Sequence, residues 1–202
     1  MKNIAVFVSG SGTNLQALID WEKQGKLVAK IVLVVSNNPD AFGVKRAQEA
    51  GIPTLIVNHK EYDTREEHEE EIEKHLRNHQ VEILVLAGYM RLLTSNFVSR
   101  WHHKIINLHP SLLPSFTGIN AIEQAFTYGV KVTGVSTIFV DEGVDTGIII
   151  LQDIVKVLSE DSLESLTTKI HDLEHILLPQ TVNIVASDKF TITDRKVLIN
   201  ST

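Results

Sequence analysis

The 202-residue chain has a formal net charge of −6, with 43% apolar and 22% charged residues and no cysteine, which predicts one globular domain over 1–202. Its negative charge argues against non-specific nucleic-acid binding, no apolar run approaches the roughly 18 residues of a membrane span, and the lack of thiols excludes disulfides, thiolate metal sites and a cysteine nucleophile. We therefore expect a cytoplasmic protein with neither membrane nor nucleic-acid partners.

Apolar, β-branched runs alternate with helical patterns in the first half of the chain, which is typical of a doubly wound, mostly parallel α/β sheet. After residue 130, two strands joined by a short loop predict an antiparallel extension of that sheet. A long amphipathic helix, with a potential bend at Pro179, and a hairpin complete the chain. The predicted strands are KNIAVFVS, LVAKIVLVVS, IPTLIV, VEILVLAG, KIINL, VKVTGVSTIFV and GIIILQDIVKV; the helix is DSLESLTTKIHDLEHILLPQTVNIV and the hairpin KFTITDRKVLIN.

The segment TREEHEEEIEKHLRNH predicts an acidic helix. Thr64 and Glu67 have the spacing of a capping box at its start. His68 and His75 lie in this helix without the His-Glu-x-x-His pattern of a zinc site, so we interpret them as part of a solvated face.

The loop SGSGTN follows the first strand and opens a helix. Gly10 and Gly12 allow a tight turn that exposes N–H groups, so a phosphate would fit there. The dinucleotide fingerprint fails because Leu15 occupies the third glycine position, and no Gly-Lys-Ser/Thr follows to make a P-loop. An ordinary tight turn explains the glycines equally well, although Thr13 and Asn14 favour a ligand because polar residues at a helix N-cap can bond ligand oxygens.

The stretch NLHPSLLP follows the fifth strand. Asn107 and His109 are two residues apart and share a face, and Pro110 restricts the backbone of His109. Such a pair can hold an oxyanion and move a proton, although a satisfied strand end is the better interpretation of the pair alone. The loop DEGVDT can add an acid beside the histidine or form a solvated turn. Its acids are Asp141, Glu142 and Asp145.

We expect these loops to meet at one edge of the sheet, where ligands of open α/β sheets bind. From about residue 2 to about residue 185, the chain resembles the phosphoribosylglycinamide formyltransferase family. The resemblance rests on SGSGTNLQAL, SNNPDAFGVKRAQEAGIP, LAGYMRLL, NLHPSLLPSF and DEGVDTG, in this order and spacing. It implies direct transfer of a formyl group from the co-substrate 10-formyltetrahydrofolate to the amine of glycinamide ribonucleotide, without a metal.

The resemblance also implies which residues act. The catalytic residues are Asn107, His109 and Asp145. The ribonucleotide residues are Gly10, Ser11, Gly12, Thr13, Asn14 and Arg65 near the phosphate, with Glu174 at the glycinamide end. The folate residues are Met90, Arg91, Leu92, Leu93, Val140, Asp141, Glu142, Gly143 and Val144. The ribonucleotide is assigned mainly to the half around 1–100, and folate binding and catalysis to the half around 101–202.

Ile138 departs from the resemblance, since relatives usually carry a histidine at this position near the catalytic aspartate. Two alternative functions stay open, the first because formyltetrahydrofolate hydrolases share the asparagine, the histidine and the Ser-Leu-Leu-Pro run, and the second because of Ile138. One is a formyltetrahydrofolate hydrolase, in which water replaces the amine, and the other is a non-catalytic paralogue that binds folate or ribonucleotide. A homodimer is a further expectation.

Overall fold

The computed structural model describes residues 1–200. The strands in this range are β1 (Lys2–Val8), β2 (Ala29–Ser36), β3 (Thr54–Ile56), β4 (Ile83–Leu86), β5 (Ile105–His109), β6 (Val132–Phe139), β7 (Ile148–Lys156), β8 (Phe190–Thr193) and β9 (Lys196–Ile199). The helices are α1 (Thr13–Lys23), α2 (Phe42–Glu49), α3 (Arg65–Asn78), α4 (Ser95–Arg100), α5 (Ala121–Tyr128) and α6 (Leu163–Ala186), with a 3₁₀ turn at His59–Glu61. Every predicted strand forms, as do the long helix and the hairpin.

Seven strands form one sheet in the order β3-β2-β1-β4-β5-β6-β7, and β8 pairs with β9 separately. Strands β1 to β5 are parallel, whereas β6 and β7 are antiparallel to their neighbours. The predicted α/β class and its antiparallel extension are therefore confirmed. The chain order reverses between β1 and β4, so a crevice forms at the carboxyl ends of these strands.

Both faces of the sheet are covered, as the unbroken apolar strands predict. In β1, Ile4, Val6 and Val8 point into a core shared with α1 and α6. Ala5 and Phe7 point to the opposite face, into a core shared with α3 and α4. The period of two along a strand thus places the same run of residues in two cores.

The long helix α6 continues through Pro179, which is buried inside it. Its first turn is fixed by a capping box between Ser162 and Ser165. Further along, the hydroxyl of Thr181 lies 2.8 Å from the hydroxyl of Thr137 in β6 and donates to the carbonyl of Leu177. These contacts hold the helix against the antiparallel part of the sheet.

Helix α3 begins with the predicted capping box of Thr64 and Glu67. The interpretation of His68 as solvated is wrong, because its side chain is buried and its Nε2 donates to the carbonyl of Val57 at 3.0 Å. Burial is the main cause that lowers the pKa of His68. An acidic helix can bury a histidine here because the carbonyl after β3 satisfies the ring nitrogen.

The turn after β5 is held by a buried serine. Ser136 in β6 accepts from the N–H of Leu113 at 3.0 Å and from the side chain of Gln152 at 2.8 Å, and its hydroxyl donates to the carbonyl of Ser111 at 2.6 Å. The Leu113–Pro114 peptide bond is cis. Since this turn directly follows His109, the network limits the directions that the histidine can take.

None of the described helices combines the length and the apolarity needed to cross a membrane.

We predict that Gly12→Ala destabilises the protein more than Gly25→Ala. Both glycines have left-handed backbone, at φ 69° and 67°, so each alanine should cost about 1–2 kcal/mol. A Cβ at position 12 would also lie 2.5 Å from the Cα of Gly43, whereas a Cβ at position 25 would meet nothing within 4 Å. Urea unfolding of both variants measures the difference. Equal losses of free energy would contradict this account of the first loop.

Candidate active site

A cleft of about 1390 Å³ opens at the crevice beside β1, β4 and β5. Sites for one drug-sized ligand are typically about 300–1,000 Å³, so the cleft has room for two ligands. All of the sequence-predicted catalytic and binding residues line it. They are Gly10 to Asn14, Arg65, Met90 to Leu93, Asn107, His109, Val140 to Asp145 and Glu174.

The carbonyl oxygens of the first loop are held by α2. The N–H of Gly43 donates to the oxygen of Gly10 at 3.0 Å, and Nε of Arg46 donates to the oxygen of Ser11 at 2.9 Å. Gly43 lies directly against Gly12. A Cβ on Gly12 would lie 2.5 Å from the Cα of Gly43, so no residue larger than glycine fits at position 12. The acceptors of the loop are thus occupied on the α2 side.

The N-cap of α1 is Gly12, and no side chain caps the helix. The expectation that Thr13 or Asn14 provides a polar N-cap is therefore wrong, because the helix already begins at Thr13. The uncapped N–H groups keep their capacity to donate to a ligand, and the helix dipole favours an anion there. Arg65 adds a cation at the cleft from the start of α3.

Glu174 and Asn14 form a buried polar pair. The amide of Asn14 donates to Oε2 of Glu174 at 2.9 Å, and Glu174 is 5% exposed. Burial raises the pKa of Glu174, while the bond from Asn14 and the nearby His171 and His109 act in the opposite direction. Oδ1 of Asn14 is buried without a hydrogen-bond partner in residues 1–200. The pair therefore has acceptor capacity left for a ligand that donates.

His109 is held by both of its ring nitrogens. Nε2 lies 2.8 Å from the carbonyl oxygen of Phe116, and Nδ1 lies 3.4 Å from Oδ2 of Asp145. Because a carbonyl can only accept, Nε2 carries a hydrogen. Asn107 shares this face of β5, and its amide makes no hydrogen bond to the residues that the structure describes. A donor and a titratable ring thus lie side by side.

The loop DEGVDT, residues 141–146 and called the acid loop below, does not start at the edge of the sheet that was expected. Because β6 is antiparallel to β5, Phe139 pairs with Ile106, and the N–H of Val140 donates to the carbonyl of Ile105, at the start of β5. The loop then folds over the sheet face that carries Asn107 and His109, until Asp145 reaches the imidazole. The loops that follow the parallel strands β1, β2, β4 and β5 therefore lie at one edge of the sheet, and the loop after β6 crosses the sheet face.

Only one of the three acids left open by the sequence contacts the histidine within residues 1–200. Asp145 has left-handed backbone at φ 55°, and its Oδ2 also accepts from the N–H of Gly118 at 2.8 Å. The carboxylate of Asp141 is bonded to its own loop, to Gly143 N at 3.1 Å and Thr146 Oγ1 at 2.6 Å. Glu142 is exposed. The loop therefore uses one acid for its shape and another for the histidine.

Ile138 lines the cleft directly beside Asn107. Ile138 in β6 pairs with Asn107 in β5, and the side chain of Ile138 is 2% exposed. An apolar wall therefore replaces the polar side chain expected from the resemblance. It removes a hydrogen-bonding partner and leaves the contact between His109 and Asp145 in place.

The far part of the cleft is apolar and open. Met90 and Leu92 are 77% and 60% exposed. Their segment is anchored at both ends, because the N–H of Met90 donates to the hydroxyl of Ser9 at 2.8 Å and the N–H of Thr94 donates to Glu69 at 2.7 Å. Such anchored but solvent-facing apolar side chains suit a flat, partly apolar ligand.

Two features of the cleft were not predicted. His171 lines it one turn before Glu174, and the i, i+3 spacing on α6 is a signal that could have identified it. The segment from Phe116 to Gly118 bonds both His109 and Asp145, and its sequence carries no such signal. Among residues 1–200, no three His, Asp or Glu side chains are grouped so that they could hold a metal ion.

The family model described as "Formyl transferase" matches residues 2–182. The trifunctional purine biosynthetic protein adenosine-3 of Chironomus tentans is 45% identical over 196 residues, which cover 96% of this chain but only 14% of that protein. The phosphoribosylglycinamide formyltransferase of Bacillus subtilis is 42% identical over 182 residues, 90% of this chain and 93% of that protein.

Solved structures agree with these relatives. Glycinamide ribonucleotide transformylase 1 from Symbiobacterium toebii has a TM-score of 0.96 at 39% identity, over 100% of this chain and 95% of that one. A formyltetrahydrofolate deformylase from Pseudomonas syringae has a TM-score of 0.91 at 28% identity, over 99% of this chain and 66% of that one. This chain belongs to the formyl transferase family, among the phosphoribosylglycinamide formyltransferases.

Proposed function

We propose that this chain transfers the formyl group of 10-formyltetrahydrofolate to the amine of glycinamide ribonucleotide. The observation that carries the proposal is the position of the His109–Asp145 contact. It lies in a cleft with uncapped helix N–H groups in one part and exposed apolar side chains in another. A phosphorylated substrate and a pterin need these two environments.

The ribonucleotide half of the site would hold a phosphate and an amine. In our proposal the N–H groups of Ser11 to Asn14 bind the 5′-phosphate with help from Arg65, while Gly10 shapes the turn. Glu174, together with the unpartnered Oδ1 of the neighbouring Asn14, binds the glycinamide end. A buried carboxylate is a strong partner for an amine that arrives protonated.

The folate half would be formed by two segments. Met90 to Leu93 supply apolar side chains and backbone groups on one side, and Val140 to Val144 supply the other wall. Asp141 contributes by shaping this wall, since its carboxylate is already bonded within the loop. Because Met90 precedes residue 101 and Glu174 follows it, we propose that both halves of one domain serve both ligands.

In the proposed reaction the amine, which arrives protonated, first releases one proton to water; its neutral nitrogen then attacks the formyl carbon, and a new C–N bond forms. The bond between that carbon and N10 of the folate then breaks, while the amine loses a proton and N10 gains one. Asn107 and His109 donate to the oxyanion between these steps, and Asp145 orients the imidazole and supports the proton transfer. Nε2 of His109 has to exchange the carbonyl of Phe116 for the substrate oxygen before it can donate.

A steady-state assay with both substrates tests this function. We expect formyl transfer that depends on both ligands, and folded protein without transfer would refute the proposal. Dominant formate release in the absence of ribonucleotide would instead identify a hydrolase, which the similarity to the deformylase keeps as the second candidate. Binding of both ligands without turnover would identify a non-catalytic paralogue. The homodimer and the cytoplasmic location stay predictions.

We predict that Asp145→Asn lowers kcat by about 100-fold or more, since it removes the charge beside His109 and general acid–base catalysis is worth about that factor. The matched control is Asp141→Asn, which makes the same chemical change in the same loop. It should mainly raise the KM for the folate, because its carboxylate holds the loop and does not reach His109. Equal kcat losses in the two variants would contradict the proposed roles.

We predict that Asn107→Ala lowers kcat by about 100-fold or more, the usual loss for one oxyanion donor. Asn78→Ala, at an exposed position at the end of α3, serves as the control and should leave kcat unchanged. A variant at position 107 with kcat close to that of the wild type would remove the asparagine from the mechanism.

We predict that Glu174→Gln stabilises the protein at neutral pH while weakening ribonucleotide binding. Burial raises the pKa of Glu174, so its contribution to stability is full below the pKa of the unfolded chain and is lost as pH rises through the folded pKa. Glutamine keeps an acceptor for Asn14 without the charge. At about pH 8 the variant should have a higher Tm than the wild type, by about 2–4 °C for each kcal/mol gained in the free energy of unfolding. At about pH 4 the two Tm values should differ little. The exposed Glu160→Gln is the control, and a lower Tm for Glu174→Gln at about pH 8 would contradict the account.

A further inference from the structure

Arg195 lies in the turn of the hairpin formed by β8 and β9, called the terminal hairpin below, and contacts the acid loop from outside the cleft. Nη2 of Arg195 donates to the carbonyl oxygen of Thr146 at 2.6 Å and lies 3.3 Å from that of Gly147. These two residues directly follow Asp145. Arg195 also lies beyond residues 2–182, the part of the chain that the family model matches.

The hairpin that carries Arg195 is anchored by apolar packing. The ring of Phe190 lies 5.4 Å from that of Phe139, the last residue of β6 before the acid loop. Ile192 and Val197 pack against the same core as the sheet. The tight turn between β8 and β9 includes Asp194 with left-handed backbone at φ 55° and presents the next residue, Arg195, to the loop. The guanidinium is therefore held by a fixed scaffold.

The acid loop needs such support near Asp145. It crosses the sheet face, and Asp145 adopts a left-handed conformation that is less favourable for an aspartate than for a glycine. Thr146 is held from two sides, because its hydroxyl donates to Asp141 and its carbonyl accepts from Arg195. Gly147 fits so closely against the carbonyl of Phe139 that a Cβ would lie 1.8 Å from that oxygen. The backbone after Asp145 is thus fixed at both carbonyls and at one hydroxyl.

We propose that Arg195 is a positioning residue for the reaction, which fixes the backbone after Asp145 so that its carboxylate meets both His109 and Gly118. The role rests on the proposed function. Arg195 acts through Asp145 and touches no substrate. The terminal hairpin would then be a part of the catalytic apparatus as well as a cover for the sheet.

Kinetics of the full chain test the role in turnover. Arg195→Ala should lower kcat on the order of 10-fold, since small displacements of a catalytic group have effects of this size or larger, with the KM for glycinamide ribonucleotide unchanged. Arg195→Lys should recover part of the loss, because an ammonium can still donate to one carbonyl. Lys196→Ala, which removes the neighbouring exposed cation, is the matched control and should have wild-type kcat.

A double-mutant cycle separates positioning from general loss of structure. If Arg195 acts through Asp145, Arg195→Ala should have almost no further effect on kcat in the Asp145→Asn background. Full additivity of the two losses, or a wild-type kcat for Arg195→Ala, would overturn the proposal.

Amide exchange tests the same contact without any activity. The N–H of Gly118 donates to Asp145, so its hydrogen exchange, measured by NMR, should be faster in Arg195→Ala and unchanged in Lys196→Ala. Unchanged exchange at Gly118 in Arg195→Ala would overturn the positioning role. This result can be obtained even from a protein that transfers no formyl group, so failure of the proposed function would be recognised separately.

Discussion

The carboxylate of Asp145 is the point at which three separate parts of the chain meet. It contacts the imidazole of His109 at the end of β5 and the N–H of Gly118 in the following segment, and it belongs itself to the loop between β6 and β7. Because β6 runs antiparallel to β5, that loop begins beside the first residue of β5, Ile105, and must cross the sheet face to reach His109. The antiparallel extension therefore brings an acid to a histidine that the parallel part of the sheet positions.

The site includes several arrangements that lower the stability of the fold. Glu174 is buried with a raised pKa, Asn14 keeps an unpartnered buried oxygen, and Asp145 has left-handed backbone. Each is unfavourable in isolation, and such groups persist where the surrounding structure holds them and a ligand can complete them. Here the support comes from α6, from the hydrogen bonds within the acid loop and from the terminal hairpin.

Much of this could be predicted from the sequence because its signals are local. The strands follow from apolar runs, and the first loop from two glycines before a helix. The partner of His109 could not be chosen from the residues alone, since it depends on how the acid loop crosses the sheet. The burial of His68 depends on a carbonyl after a different strand, and the contact of Arg195 depends on where a distant hairpin packs.

The central claim is that the two parts of the cleft deliver their ligands to the same histidine. A crystal structure with glycinamide ribonucleotide and a stable analogue of 10-formyltetrahydrofolate tests it most directly. The account predicts the phosphate on the N–H groups of Ser11 to Asn14, and the formyl oxygen within hydrogen-bonding distance of Asn107 and of Nε2 of His109. A phosphate bound elsewhere, or a formyl group out of reach of His109, would contradict it.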